Sequence, residues 1–157
     1  MMSRRCEYAL RALLDLGLAR EEGRDRLAVQ EIASRERIPA PFLEQILGDL
    51  RRAGILRSRR GPRGGYSLAR PPRSVRFGAV VRLLDGPIAP ISCASRTAFA
   101  PCSCPDVEHC GLRMVMVDAR NALASALDSV TLADAVKRTR ASCRRDRVPL
   151  PYAAKEV

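Results

Sequence analysis

Tryptophan is absent, and three phenylalanines and three tyrosines supply all the aromatic surface in 157 residues. So few stacking platforms argue against a protein that reads unstacked RNA bases. Histidine occurs once, at His109, and there is no glycine-rich phosphate-binding signature and no adjacent acid, base and nucleophile set, so nothing points to an enzyme. No stretch approaches the roughly 18 apolar residues of a membrane span. The opening MMSRRCEYALRALLDLGLAR carries charges where a secretion signal has its apolar stretch. A cytoplasmic protein is the expectation, and in a reducing compartment six cysteines point to metal or thiol chemistry before disulfides.

The most telling absence is local. Between Asp49 and Asp85 there is no acidic residue, while ten arginines fall there: Arg51, Arg52, Arg57, Arg59, Arg60, Arg63, Arg70, Arg73, Arg76 and Arg82. A surface built from that interval carries strong positive potential, and its natural partner is a polyanion. Arginine outnumbers lysine 26 to 2, and its planar fork suits phosphate oxygens and guanine edges. GC-rich coding explains that ratio but not the missing acids.

The periodicity predicts a mainly α protein with a small β-hairpin wing. Tyr8, Leu10, Leu13, Leu14, Leu16 and Leu18 mark a first helix closing at Gly23. Leu27, Val29, Ile32 and Ala33 mark a short second helix, and Ile38-Pro39 a break. Phe42, Leu43, Ile46, Leu47 and Leu50 mark a third helix stopping at Gly54, with its apolar members assigned to the core. Two short helices after a longer one read as helix-turn-helix. Ile55–Arg60 and Tyr66–Leu68 then flank the glycine-rich turn Gly61-Pro62-Arg63-Gly64-Gly65, a hairpin wing.

The expected organisation is a winged helix-turn-helix DNA-binding domain over residues 1–85, including a helix over 77–85. A proline-punctuated cysteine loop follows over 86–110, then a long helix and a last short helix over 111–140, and a flexible basic tail over 141–157. The apolar positions from Leu112 to Leu127 cover more circumference than one small domain can bury, which predicts a dimerisation helix. Thr131 is positioned to cap a final helix running to about Arg138.

If the third helix enters the major groove, Pro41, Glu44 and Gln45 lie nearest the bases, with Glu44 matched to a cytosine amine and Gln45 to adenine. In the wing, Gly64 and Gly65 supply unusual backbone, and Arg51, Arg59, Arg60, Arg63 and Tyr66 complete the candidate contact set on duplex DNA.

The cysteines run C-x8-C-x-C-x5-C from Cys93 through Cys102 and Cys104 to Cys110. Thiolates suit zinc, copper(I) or iron–sulfur clusters, and the lack of a C-x2-C knuckle weighs against a zinc ribbon. Cys102 stands as a replacement for Cys104, as a fourth thiolate or as a resolving thiol. His109, beside Cys110, is a possible additional ligand, and Cys6 and Cys143 read as incidental.

The strings EYALRALLDLGLA and FLEQILGDLRRAGILRSRRGPRGGYSLA, the spaced cysteines and the late TLADAV resemble the IscR/NsrR type of bacterial regulators, the Rrf2 family, over about residues 3 to 138. The combination of LEQ, RGPRGGY and the cysteines in that order is its most specific part. The resemblance implies a dimeric winged-helix transcription factor, usually a repressor, which in many members holds an iron–sulfur cluster by three cysteines and one other ligand. It matches Cys93, Cys104 and Cys110 as ligands, and places Glu7 where some members supply a carboxylate from the partner subunit's first helix. The expected cofactor is an iron–sulfur cluster, the two-iron two-sulfur kind ahead of the four-iron four-sulfur kind. Two alternatives stay open: the same regulator using its cysteines as a thiol switch or zinc site, and an iron–sulfur or metal carrier.

Overall fold

The computed structural model, which describes residues 2–150, contains six α-helices and a two-stranded hairpin that packs on α1 and α3. Helix α1 spans Arg4–Glu21 and opens on Ser3, whose side chain accepts from the Cys6 amide at 3.1 Å. The Ser3 amide in turn donates to Asp85 at 2.7 Å, so this cap also ties α1 to the far end of α4 (Phe77–Asp85). Nearly every position of α1 from Ala9 to Ala19 is buried, because the helix is packed by α3 on one side and by α4 and α6 on others.

Helix α2 (Val29–Glu36) ends on Arg37 in the left-handed conformation, φ 53°. The turn leads to α3 (Ala40–Arg52), where Leu43, Ile46, Leu47 and Leu50 recur at i, i+3, i+4 and i+7 and are fully buried. Gly54, at φ +69°, reverses the chain into the wing. Strands β1 (Leu56–Arg59) and β2 (Gly65–Leu68) pair antiparallel, Leu56 opposite Leu68 and Arg59 opposite Gly65.

Two expectations shift here. Leu27 is not helical: it forms a bridge with Tyr66, and α2 starts two residues later, because the chain entering the helix is recruited as a third short edge for the wing. Phe42 is 37% exposed and meets Tyr8 edge-on with ring centres 5.9 Å apart, so it lies on the rim of the core.

Beyond the cysteine loop, α5 spans Gly111–Ser129 and α6 spans Leu132–Asp146. Thr131 caps α6 as expected, in a reciprocal capping box with Asp134. The helix runs past Arg138 to Asp146, into the start of the stretch read as a basic tail: Cys143 is buried, and Leu150 packs against the core. Hydrophobic contact at one turn's spacing, Leu132 and Val136, holds α6 on Gly17 of α1, where a Cβ would lie 2.8 Å from Val136 Cγ2. Residues 151–157, the rest of that tail, lie outside the described residues.

Charge is also buried between α1 and α2. Asp15, with no exposed surface, receives Arg35 at 3.1 Å, and Arg35 also holds Glu31 at 2.9 Å. Burial outweighs the Arg35 charge and pushes the Asp15 carboxyl up to about 6, because only one of its oxygens is partnered. A carboxyl raised in the folded state contributes stability that is present below its ordinary value and lost as pH rises through about 6. The expectation is that wild type loses roughly 3 kcal/mol relative to Asp15→Asn between pH 4 and 7, from the size of the displacement. Urea denaturation of both proteins across that range checks it, and a flat difference would contradict the assignment.

Candidate nucleic-acid interface and cysteine site

The third helix and the wing face each other across a cleft of about 560 Å³. Glu44, Gly48 and Arg51 line its helical side, and Arg59, Arg60, Gly64, Gly65 and Tyr66 its wing side. Glu44 and Arg51 share a face because they are seven residues, two turns, apart. Pro41 and Gln45 are exposed in the first turns of the same helix. Arg51 reaches across to the wing, its Nη1 3.3 Å from Ser58 Oγ. Of the site residues expected on α3 and on the wing, Glu44, Arg51, Arg59, Arg60, Gly64, Gly65 and Tyr66 line this cleft, while Pro41, Gln45 and Arg63 are exposed and do not line it.

The hairpin is held in place by backbone. The Leu27 amide donates to the Tyr66 carbonyl at 3.0 Å and the Tyr66 amide returns a bond to the Leu27 carbonyl at 2.8 Å. This close approach is what Gly65 permits: at φ +130° a side chain there would drive its Cβ into the Leu27 carbonyl. A Cβ on Gly64 would meet the Gly61 carbonyl at 2.7 Å and the Arg59 carbonyl. The wing glycines therefore shape the surface, and the cations project from it. Arg59, Arg60 and Arg63 are exposed, and none of the three forms an ion pair among the described residues. Elsewhere in the acid-free interval arginines are engaged: Arg57 with Asp25 at 3.3 Å and with Ser67 at 3.0 Å, and Arg82 with Asp128 at 2.6 Å.

The second site is the loop between α4 and α5. Cys93 is buried in a 3₁₀ turn, Ser92–Ala94, while Cys102, Cys104 and Cys110 are half-buried, and all are free thiols. The ionisation of Cys102 is linked to that of Cys93 and Cys104, and the ionisation of Cys104 to that of Cys110. Hydrogen bonding with Cys104 pulls the Cys102 thiol down. Its hydrogen bond, then its negative charge, push Cys104 up to about 11, and burial, then Cys102, raises Cys93.

Among the described residues no three His, Cys, Asp or Glu side chains converge as ligands of one ion. The four thiols share one loop, and soft sulfur donors are the type of ligand an iron–sulfur cluster takes. Neither proposed non-thiolate ligand joins them within the chain. Glu7 is half exposed and lies 3.3 Å from Arg11 one turn along α1. His109 is 79% exposed, with Nδ1 at 2.7 Å from Asp106.

Two residues that the sequence reading passed over hold this loop. Arg113 donates through Nε to the Cys93 carbonyl at 3.0 Å, and Arg120 through Nη1 to the Ala94 carbonyl at 2.5 Å. Their spacing of seven, two turns on one face of α5, was the available signal. The opposite limits of α5 are bare: Leu112, Met114, Val115 and Leu123 are 49–61% exposed, and no α5 residue is fully buried.

A helix-turn-helix whose third helix and arginine-bearing wing share one cleft defines a winged-helix DNA-binding protein, with a cysteine loop and a long helix appended. Residues 2–138 match the Rrf2 family, described as iron-dependent transcriptional regulators, and the chain belongs to that family. It is 45% identical over 136 residues to an rrf2-like HTH-type transcriptional regulator of Rhodobacter capsulatus, covering 85% of this chain and 91% of that one. Among solved structures, IscR of T. potens superposes with a TM-score of 0.70 at 29% identity over 90% of both chains. CymR, the global cysteine regulator of B. subtilis, superposes with a TM-score of 0.73 at 28% identity over 88% of this chain and 98% of that one. The protein is a transcriptional regulator and not an enzyme. No described helix is long and apolar enough to cross a membrane.

Gly65→Ala is expected to destabilise the fold by about 1–3 kcal/mol, the cost of a glycine-only backbone region, and to weaken DNA binding with it. Gly111→Ala, in open space at the start of α5, is the control. Equal melting temperatures for the two variants would refute the role given to the wing crossing.

Proposed function

We propose that this regulator is a dimeric repressor whose hold on its operator is set by an iron–sulfur cluster in the loop over residues 86–110. The observation that carries the reading is the direct hydrogen bonding of the cysteine turn to α5 through Arg113 and Arg120. The same helix is clamped to α4 by the two-pronged pair Arg82–Asp128, at 2.6 and 2.9 Å, so order in the loop is felt at the base of the DNA-binding domain. The exposed apolar residues of α5 favour a second copy of the chain as their cover, placing two reading heads at a fixed separation.

In this reading Glu44 and Gln45 address base edges, while Pro41 sets the entry of α3. Arg51, Arg59, Arg60 and Arg63 neutralise phosphates or enter the minor groove, and Gly64, Gly65 and Tyr66 hold the wing. Cys93, Cys104 and Cys110 hold the cluster, with Cys102, Glu7 and His109 as candidates for the remaining position. A bound cluster, two-iron or four-iron, supplies a centre that oxidants, nitric oxide or iron shortage alter. Such a regulator acts in the cytoplasm. A second reading rests on the depressed Cys102 thiol, its ionisation linked to that of Cys93 and Cys104: the same repressor working by thiol oxidation without iron.

The salt dependence of operator binding tests the DNA face. Replacing Arg59, Arg60 and Arg63 together by Ala is expected to lower affinity on all sequences and to flatten the slope of log affinity against log salt by about 0.9 for each lost phosphate contact; an unchanged slope would remove the wing from the interface. For the loop, protein purified without oxygen is expected to be coloured and to contain iron and sulfide, with the colour gone in Cys93→Ala and Cys110→Ala. Colourless wild type that still binds the operator selects the thiol reading.

A further inference from the structure

We propose that the cavity between α1, α6 and the turn that follows the wing binds a small amphipathic organic anion, a carboxylate or phosphate carried on an apolar body. The site lies apart from the cysteine loop, and its assignment stands whether or not that loop takes up iron.

The cavity holds about 580 Å³, a size typical of small-molecule sites, which span roughly 300–1,000 Å³. Its floor is apolar. Gly17 of α1 contributes bare backbone, Ala133 and Val136 of α6 contribute methyl groups, and Pro71 and Pro72 form the wall where the chain enters the 3₁₀ turn Pro72–Ser74. Proline has no amide N–H, so an apolar body laid against this wall strands no backbone donor there.

The rim is cationic. Arg73, Lys137, Arg140 and Arg144 border the cavity, against a single carboxylate, Glu21. Glu21 holds Arg140 at 2.7 Å. Arg73, Lys137 and Arg144 form no ion pair among the described residues. Lys137, Arg140 and Arg144 follow one another at three- and four-residue steps, on the face of α6 that also carries Ala133 and Val136. Helical spacing therefore sets these cations beside the apolar floor. Arg138 and Arg145 are exposed on another face of the helix and do not line the cavity.

That combination selects the ligand. A neutral apolar molecule covers the floor but leaves the cations crowded together without counter-charge. A nucleic-acid backbone supplies charge and has nothing for the floor, and the cleft between α3 and the wing shares no residue with this cavity. An anion on an apolar body meets both halves of the site. Because the lining comes from α1, from α6 and from the connection between β2 and α4, a ligand seated there bridges the segment leading out of the wing to the last helix.

Hexanoate is the probe, with hexan-1-ol and inorganic phosphate supplying its apolar and anionic halves separately. Each is titrated into the full-length protein while the chemical shifts of Gly17, Ala133 and Val136 are followed by nuclear magnetic resonance. The expected result is a saturable shift with hexanoate and binding of either half weaker by about fivefold or more. In Lys137→Ala/Arg144→Ala, with folding confirmed by circular dichroism, the Kd for hexanoate should rise about fivefold or more. Arg138→Ala/Arg145→Ala removes the same charge from another face of α6 and should leave that Kd unchanged.

Absence of a saturable shift with hexanoate overturns the proposal, and so does hexan-1-ol or phosphate binding as tightly as hexanoate. An unchanged Kd in Lys137→Ala/Arg144→Ala, or an equal loss in both double variants, overturns the placement of the anion at this rim. Displacement of hexanoate by a short DNA duplex of unrelated sequence assigns the rim to nucleic acid instead. Should Lys137→Ala/Arg144→Ala fail to fold, the comparison of the three probes on wild type decides.

Discussion

The appended half of the molecule depends on a short backbone pairing between the segment after the wing and the segment between the last two helices. The Phe77 amide donates to the Val130 carbonyl at 3.1 Å and the Leu132 amide to the Val75 carbonyl at 2.8 Å. Arg76 seals the junction by donating to the Asp128 carbonyl at 2.7 Å. More than fifty residues separate the two strands of this contact, so closing it requires the chain to leave through α4, traverse the whole cysteine loop and return along α5. Once it is made, α4, α5 and α6 cannot reorient independently. Asp128 serves it twice: its carbonyl receives Arg76, and its carboxylate, held below the usual range chiefly by Arg82, locks α5 against α4 at the point where Gly78 leaves no room for a side chain.

That constraint explains why a loop with almost no regular structure has a defined place. It runs from the C-terminus of α4 to the N-terminus of α5, two helices whose other ends the pairing joins, and its interior is fastened to α5 by two arginines bonded to main-chain carbonyls. The cysteines themselves are left free of structural duty. Cys6 and Cys143 sit instead on helices of the packed body, α1 and α6, and burial, with Asp85 adding to it, drives the Cys6 thiol up to about 11, where it is unreactive.

Much of this was legible in the sequence because the relevant signals are local. The apolar spacing of Leu43, Ile46, Leu47 and Leu50 sets α3, the glycines around Pro62 set the hairpin, and Thr131 with Asp134 sets the start of α6. What escaped depends on contacts distant along the chain. Leu27 looks helical by periodicity and is taken by Tyr66 almost forty residues away. α6 outruns its apolar pattern because its first turns are anchored on Gly17 and its last buried residue, Cys143, keeps the helix docked after the charged run begins. Arg113 and Arg120 read as two more surface cations until the carbonyls they hold are known. The exposed position of Phe42 likewise follows from Tyr8, on another helix, giving it an edge to lean on.

The arrangement of charge joins the two sites. In an acid-free run of ten arginines, those nearest the molecular body find carbonyls or carboxylates, as Arg57, Arg70, Arg76 and Arg82 do. The wing-tip arginines find none, so the positive potential is concentrated where the hairpin and α3 meet. A polyanion bound there meets α3, which packs on α1 as α4 does, so α1 stands between that surface and the α4–α5 junction. In the proposed dimeric reading, a link between the loop and DNA binding does not require the loop to touch the nucleic acid: a change that loosens Cys93 and Ala94 from Arg113 and Arg120 acts on α5, the helix proposed to meet the second copy.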